Sequence, residues 1–292
     1  MFRKIFVVIN PASGKPEPVL RVLHETFRER EIGWDVSILQ QSELAGTLDR
    51  AEQWGADLIA VYGGDGTVSS VAGEMVGRAL PLAILPGGTA NVLSEQLGIP
   101  GKLTEACGLL VDEQSRLRTI DLGRVNGRTF LCQVGIGFNS RILEETDDKS
   151  KSRFGVMAYI TQGLKHLFGG EKIELDITVD GKQVQTEAFS CIVCNAGKMG
   201  MKVEMSPVDI ADGLLDIFVI RDLGLKSLQA EVADDLQANP DASLVHWRGE
   251  NIRLRSEPPE SVEYDGEVFK DDSYSIEIVK QGLRVLVPPE ES

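Results

Sequence analysis

Three short loops combine glycine with hydroxyl and amide side chains in a way that suits phosphate: Asn10-Pro11-Ala12-Ser13-Gly14-Lys15, Gly63-Gly64-Asp65-Gly66-Thr67 and Pro86-Gly87-Gly88-Thr89. Glycine lets backbone N–H groups approach a ligand with no Cβ in the way. The segment after each of the last two loops reads as a helix, whose first N–H groups lack partners and carry partial positive charge. Two familiar phosphate motifs are excluded. Ile9 and Pro16 stand where a Walker loop needs Gly and Ser or Thr, and no G-x-G-x-x-G is present. Carboxylates next to glycine recur at Asp65, Asp180, Asp212 and Asp265. From spacing alone each reads either as a hairpin turn or as part of a site. His24, His166 and His246 have no metal or triad spacing, and no G-x-S-x-G elbow occurs.

The elements that must position these loops are legible from apolar periodicity. Lys4 to Ile9, Trp34 to Leu39, Leu58 to Tyr62 and Leu82 to Leu85 read as strands. They alternate with helices over Val19 to Arg30, Ser42 to Trp54, the stretch closing at Gly77, and Ala90 to Leu97, with a further helix over Leu103 to Val111. The first helix places Val19, Leu20, Leu23 and Phe27 on one side. Such alternation implies an open parallel sheet, and in such a sheet every strand-to-helix loop emerges at the carboxyl edge. The three loops therefore share one rim, which reads as a nucleotide-phosphate site.

From Arg118 the texture changes to short apolar stretches broken by Asn126-Gly127 and Asp180-Gly181, which are hairpin signals. Ile173, Leu175, Ile177 and Val179 alternate with polar residues as a half-buried strand should. Leu214 to Ile220, Asn251 to Arg255, Ser261 to Tyr264, Tyr274 to Val279 and Leu283 to Val287 continue in this manner, so the second half reads as antiparallel β. Two segments interrupt it. Phe154 to Phe168 reads as an amphipathic helix, either packed on the sheet or touching a membrane, with Lys149, Lys151 and Arg153 beside it. Leu223 to Leu244 reads as an acidic solvated helix and loop.

The chain has 292 residues, 42% of them hydrophobic, enough for two domains. Its 30 basic and 45 acidic residues give a formal charge of −15, which argues against a general nucleic-acid binder and against anchoring through a broad basic surface. No signal peptide or spanning stretch is read, so the expected location is the cytoplasm, with peripheral contact at the inner membrane face still allowed. Cys191 and Cys194 form a C-x-x-C within a strand, where residues three apart face opposite ways. They read as buried strand cysteines.

With the Asn10 loop, the GGDGT at Gly63, the PGGTAN at Pro86, Asp121-Leu122-Gly123 and Asp265-Gly266-Glu267 in order, the chain resembles the diacylglycerol kinase catalytic family, including soluble bacterial lipid kinases and the related sphingosine and ceramide kinases. GGDGT alone is shared with NAD kinases and phosphofructokinases. The segment Ser206 to Ile220 also resembles a late family motif, with Asp209 where that pattern has alanine. The resemblance implies a Rossmann-like α/β domain over 1–122, to which 281–292 returns, and a β-sandwich over 123–280, with ATP in the cleft between them. It implies ATP-dependent phosphorylation of a hydroxyl on diacylglycerol or a related lipid, with Mg²⁺.

At matching positions it makes Asp265 the general base and Glu267 its partner near the nucleotide or its metal. It places Gly63, Gly64, Gly66, Thr67, Gly87, Gly88 and Thr89 on the phosphates, and Asn10 and Ser13 on the nucleotide. Asp65 and Asp121 look like members of the acidic network that holds Mg²⁺ through water. Asp212 with the Leu214 carbonyl resembles a separate structural metal site. Phosphoryl transfer needs these types in any case: backbone donors on phosphate, scattered carboxylates for Mg²⁺ and one carboxylate near the acceptor hydroxyl.

The implied partners are a lipid and, transiently, a membrane surface. A homodimer is compatible with the sequence, which leaves oligomeric state open. The chain departs from the family at Ser69-Ser70, where Asn-Glu is frequent, and at Asn91-Val92, where bacterial members often carry Asn-Asp. Two rival readings remain, a NAD kinase, from the shared GGDGT, and a nucleotide-binding regulator without activity, from Ser70 and Val92.

Overall fold

The computed structural model describes residues 2–13, 17–137, 172–196, 208–222, 242–290 and, in backbone alone, 232–233. Gly14, Lys15, the Phe154 to Phe168 segment with its flanking cations, Ser206, Pro207 and the acidic Glu231, Asp234 and Asp235 lie outside the described residues. The chain divides into two units, Met1–Ile120 with Gln281–Ser292, and Asp121–Lys280. Among the described residues no helix is long and apolar enough to cross a membrane.

In the first unit β1 (Lys4–Ile9), α1 (Val19–Phe27), β2 (Gly33–Ile38), α2 (Leu44–Trp54), β3 (Leu58–Gly63), α3 (Asp65–Met75), β4 (Leu82–Pro86), α4 (Val92–Gln96) and α5 (Leu103–Leu109) follow in order. The strands are parallel, in the order β2-β1-β3-β4. Every residue of β3 and β4 is buried, as expected of parallel strands covered by helices on both faces. Helix α1 buries Val19, Val22, Leu23 and Phe27, whereas Leu20 is exposed. The apolar stripe is thus rotated from the expected one, with Val22 in place of Leu20. Helix α2 ends at Gly55, whose left-handed φ of 80° closes the last turn by donating to Ala51 and Glu52 carbonyls.

Strand β5 (Arg116–Val125) leads into the second unit, which continues with β6 (Arg128–Phe130), β7 (Gln133–Gly137), β8 (Ile173–Val179), β9 (Lys182–Ala188), β10 (Ser190–Cys194), β11 (Leu215–Ile220), β12 (Val232–Ala233), β13 (Leu244–Gly249), β14 (Asn251–Glu257), β15 (Val262–Tyr264) and β16 (Glu267–Phe269). The last strand, β17 (Tyr274–Val287), pairs with β14 through its first residues, and its Val285 pairs parallel with Leu82 of β4.

Strands β12-β13-β11-β10-β7-β15-β16 form one sheet of the second unit. Its inner face, with Val134, Ile136, Cys191, Val193, Ile217 and Val219, packs on Ile173, Leu175 and Ile177 of β8 and on Ile252, Leu254, Tyr274 and Ile276. Its other face carries a second apolar group, Ile192, Cys194, Val208, Phe218, Ile220 and Leu244. The two cysteines of the C-x-x-C therefore lie in different cores. Both are free, and burial pushes the Cys191 thiol up to about 12 and raises that of Cys194 as well.

Two expectations are corrected. Leu244 opens a strand, β13, instead of closing a helix and loop, and β12 pairs with it. In LVHWRG, Val245 and Trp247 belong to the inner core and Leu244, His246 and Arg248 to the other face, an alternation of a few residues that the acidic stretch before it obscures. Tyr274 to Val279 and Leu283 to Val287 are one strand, which continues through Gln281, where φ is 52°.

Candidate active site

In the first unit the first rim loop closes on a side chain of the second, and the third meets the second through backbone. Thr67 is buried in the first turn of α3, and its Oγ1 accepts a 2.8 Å hydrogen bond from Asn10 Nδ2 and lies 3.4 Å from Ser13 Oγ. Asn10 also donates its backbone N–H to the Tyr62 carbonyl, while its Oδ1 accepts from the Ala12 N–H. The other two loops are joined through their backbones: Gly87 N–H donates to the Gly63 carbonyl, and a Cβ on Gly88 would lie 2.6 Å from Gly64 Cα. At Gly63 a Cβ would meet Thr67 at 2.5 Å, and at Gly87 it would enter the Tyr62 ring at 2.8 Å. Packing thus obliges these glycines before any ligand is considered. Desolvation of Tyr62 beneath this loop raises its phenol, with Glu17 adding to the effect.

The donor end of α3 is open for an anion. Gly64 stands at its N-cap in extended conformation with no side-chain cap. Gly66 and Thr89 are exposed and Asp65 is half-buried on the same rim. Asn91, with a left-handed φ of 48°, braces the Gly88 peptide from both sides: its Oδ1 accepts from Gly88 N–H at 3.0 Å and its Nδ2 donates to Gly88 O at 2.8 Å. Ser70, at one departure from the family pattern, donates to the Gly66 carbonyl, and Val92 opens α4.

In the second unit Asp265 and Gly266 form the two-residue turn between β15 and β16, with φ of 45° and 91°. Hairpin turn and candidate base are therefore the same residue. The Asp265 carboxylate accepts three backbone N–H groups, from Leu131 at 2.6 Å, Cys132 at 2.9 Å and Gln133 at 3.1 Å. This cradle fixes the orientation of the carboxylate. Glu267 is exposed and accepts the Tyr264 hydroxyl at 2.7 Å. Burial, reinforced by that bond, pushes the Tyr264 phenol up to about 12.

Asp121 is buried in the same unit. Its Oδ2 accepts the Gly213 N–H at 2.7 Å, and its carbonyl accepts Asn195 Nδ2 at 3.0 Å. The same Asn195 amide donates to Leu131 O, and its backbone N–H to Cys132 O. Asn195, which no sequence motif singles out, therefore ties Asp121 to the peptides that cradle Asp265.

Asp212 does not fit the separate metal site drawn from the resemblance. Its carboxylate is ion-paired with Arg248 and accepts the Leu214 N–H, so a cation there would face a guanidinium. Among the described residues no group of three or more His, Cys, Asp or Glu could hold a metal.

Glu263 is a further carboxylate that the sequence motifs do not mark. It is buried on β15, two residues before Asp265, and has no cation partner among the described residues. Its Oε1 accepts the Gly266 N–H at 2.7 Å and Gln133 Nε2 lies 3.5 Å from Oε2. Desolvation, with the Asp265 charge adding to it, raises its carboxyl to about 7. The signal that could find it is the alternation Glu263-Tyr264-Asp265, which puts the two carboxylates on one face. Between about pH 4.5 and 7 the unfolded chain releases this proton while the folded chain keeps it, so this group's contribution to stability falls as pH rises through that window. Glu263→Gln is expected to flatten the slope and to gain on the order of 3 kcal/mol over wild type above pH 7. Urea titrations from pH 5 to 8 measure it, and parallel slopes for the two proteins would refute it.

Comparison with known proteins identifies both units. The diacylglycerol kinase catalytic domain model matches residues 4–125, and the YegS C-terminal NAD kinase beta sandwich-like domain model matches 132–287. An uncharacterized Synechocystis protein is 31% identical over 252 residues, which is 84% of this chain and 58% of that protein's own length. A Staphylococcus haemolyticus protein, provisionally named a lipid kinase, is 27% identical over 80% of this chain and 77% of its own. The crystal structure of a diacylglycerol kinase from Bacillus anthracis str. Sterne superposes with a TM-score of 0.77 at 26% identity, covering 99% of this chain and 98% of that one. With family models matching both halves and a fold shared over its whole length, the chain belongs to the diacylglycerol kinase catalytic-domain family of lipid kinases.

Proposed function

We propose that the chain is an ATP-dependent lipid kinase that transfers the γ-phosphate to a hydroxyl of diacylglycerol or a related lipid. The observation that carries this reading is the junction of three strand-end loops, Asn10 and Ser13 on Thr67 and Gly87 and Gly88 on the Gly63–Gly64 backbone, beside a helix N-terminus with no side-chain cap. Phosphoryl transfer is mostly positioning and charge neutralisation. Gly63, Gly64, Gly66, Thr67, Gly87, Gly88 and Thr89 line the phosphates, with donors from the uncapped start of α3. The Gly87 and Gly88 N–H groups are taken by Gly63 O and Asn91 Oδ1, so those two glycines admit the phosphates by shape, and Asn10 and Ser13 fix Thr67 in this lining. The lipid oxygen attacks the γ-phosphorus, its proton passes to Asp265, and ADP leaves. Glu267 opens β16 directly after the turn and is steadied by the Tyr264 hydroxyl, which donates to its Oε2 at 2.7 Å.

ATP fits the rim: the glycines leave its backbone approachable, and Asp65 is the carboxylate that this rim offers to the Mg²⁺ accompanying the nucleotide, which would neutralise phosphate charge. Asp121 is proposed for the same network, although its Oδ2 accepts the Gly213 N–H. Asp212 and Leu214 are left out of the mechanism, because Arg248 neutralises that carboxylate. Access to lipid is proposed through transient membrane contact of the Phe154 to Phe168 segment, outside the described residues.

Incubating the chain with labelled ATP, Mg²⁺ and a total lipid extract, then identifying the product, tests the reading. A phosphorylated lipid carrying label is expected. Label on NAD supplied in parallel, or ATP binding without any labelled product, would overturn it.

A further inference from the structure

Glu263 is a buried carboxylate that the reaction as described does not use. On its face of the sheet it stands in a cross-strand row with Gly135, Ile192, Phe218 and His246. Gly135 and Ile192 give it no charge to pair with. The adjacent row runs from Asp265, through its N–H bond to Gln133 O, to Gln133, Cys194, Asp216 and Arg248.

Among the described residues the titratable and charged groups on this face are therefore Asp265 on its own hairpin, Cys194 on β10, Asp216 on β11, and His246 and Arg248 on β13, with Glu267 beyond the turn on β16. His246 lies 2.6 Å from Asp216 and Arg248 lies 3.4 Å from it, so both are engaged there. Among the described residues Glu263 has two neutral donors, one of them the N–H of Gly266 inside the Asp265 turn. The other donor, Gln133, also gives its backbone N–H to Asp265, so one residue touches both carboxylates.

We infer that Glu263 is a positioning residue for Asp265: it holds the turn through the Gly266 N–H and sets a second carboxylate behind the one that receives the lipid proton. The inference rests on the proposed role of Asp265. A turn residue at a left-handed φ needs its neighbours to hold it there, and the Glu263 bond supplies that restraint from inside the hairpin. The raised carboxyl of Glu263 fits the arrangement, since two carboxylates with no cation between them among the described residues disfavour double ionisation.

Carboxyl-carbon NMR of the intact chain tests the coupling without any turnover. The Glu263 signal, assigned by its loss in Glu263→Gln, is expected to titrate near neutral pH. Its midpoint should fall by at least about half a pH unit in Asp265→Asn, where the neighbouring charge is gone. An unchanged midpoint overturns the inference.

Kinetics give the second reading. Glu263→Gln keeps an acceptor for Gly266 and should leave KM for ATP within about twofold, while the neutral inflection in its kcat-pH profile disappears. Glu263→Ala, which also loses the acceptor, should lower kcat by about tenfold or more. A Glu263→Gln profile that superimposes on wild type would count against the role even if the fold is perturbed in Glu263→Ala. If wild type transfers no phosphate to any lipid, the proposed function fails and the NMR result still decides the coupling.

Discussion

Asp265→Asn is expected to lower phosphate transfer to lipid by roughly 10²–10⁴-fold, the range associated with losing a positioned general base. The substitution is not neutral for the fold. Asp265 accepts Leu131 N–H on one oxygen and the Cys132 and Gln133 N–H groups on the other. An asparagine amide can present only one acceptor oxygen, so at least one backbone donor meets an NH₂ group. Leaving such a donor unpaired costs about 1–3 kcal/mol. The informative quantity is therefore kcat per folded molecule, measured well below the unfolding transition and with ATP binding checked separately. ATP affinity should change by less than about threefold, since the nucleotide contacts are proposed for the first unit. Activity per folded molecule within about threefold of wild type would remove Asp265 from the role of base and leave it as a turn residue.

Gly88→Ala carries the second large effect. A Cβ there would sit 2.6 Å from the Cα of Gly64 and 2.9 Å from Asn91 Oδ1. The first neighbour is backbone, so no side-chain rotation relieves the overlap, and the two rim loops must separate. Overpacking of this kind costs about 1–3 kcal/mol. It also moves the backbone donors proposed for phosphate, so ATP affinity is expected to fall by at least about tenfold. Calorimetric titration with ATP measures the loss. Gly108→Ala is the control, since a Cβ there meets nothing within 4 Å. Equal ATP affinity in Gly88→Ala and wild type would show that the Gly64 and Gly88 backbones do not line the phosphates.

Much of the architecture is readable because it follows from local pattern. Continuous apolar runs ending in glycine mark β3 and β4, and polar-apolar alternation marks β8. The shared rim follows from topology alone, since parallel strands must send their helix-bound loops to one edge. The ordered motifs make the family legible. Local pattern is too short at β13: Val245 and Trp247 alternate with His246 and Arg248 over a few residues after an acidic stretch, and pairing with β11 establishes the strand. It fails also at Leu20, where the apolar stripe of α1 can be drawn two ways and only packing chooses Val22.

The glycine loops, the Asp-Gly-Glu hairpin and the parallel-then-antiparallel layout are written into the chain, because turn chemistry and side-chain period are properties of neighbouring residues. Which partners those residues meet is settled only on folding. Thr67 gathers Asn10 and Ser13 from another loop, Arg248 claims Asp212, and Asn195 ties Asp121 to the Asp265 cradle. Burial of Glu263 belongs to the same class. Its neighbours come from strands far apart in the chain, and desolvation depends on what surrounds a carboxylate in space, which no local pattern specifies.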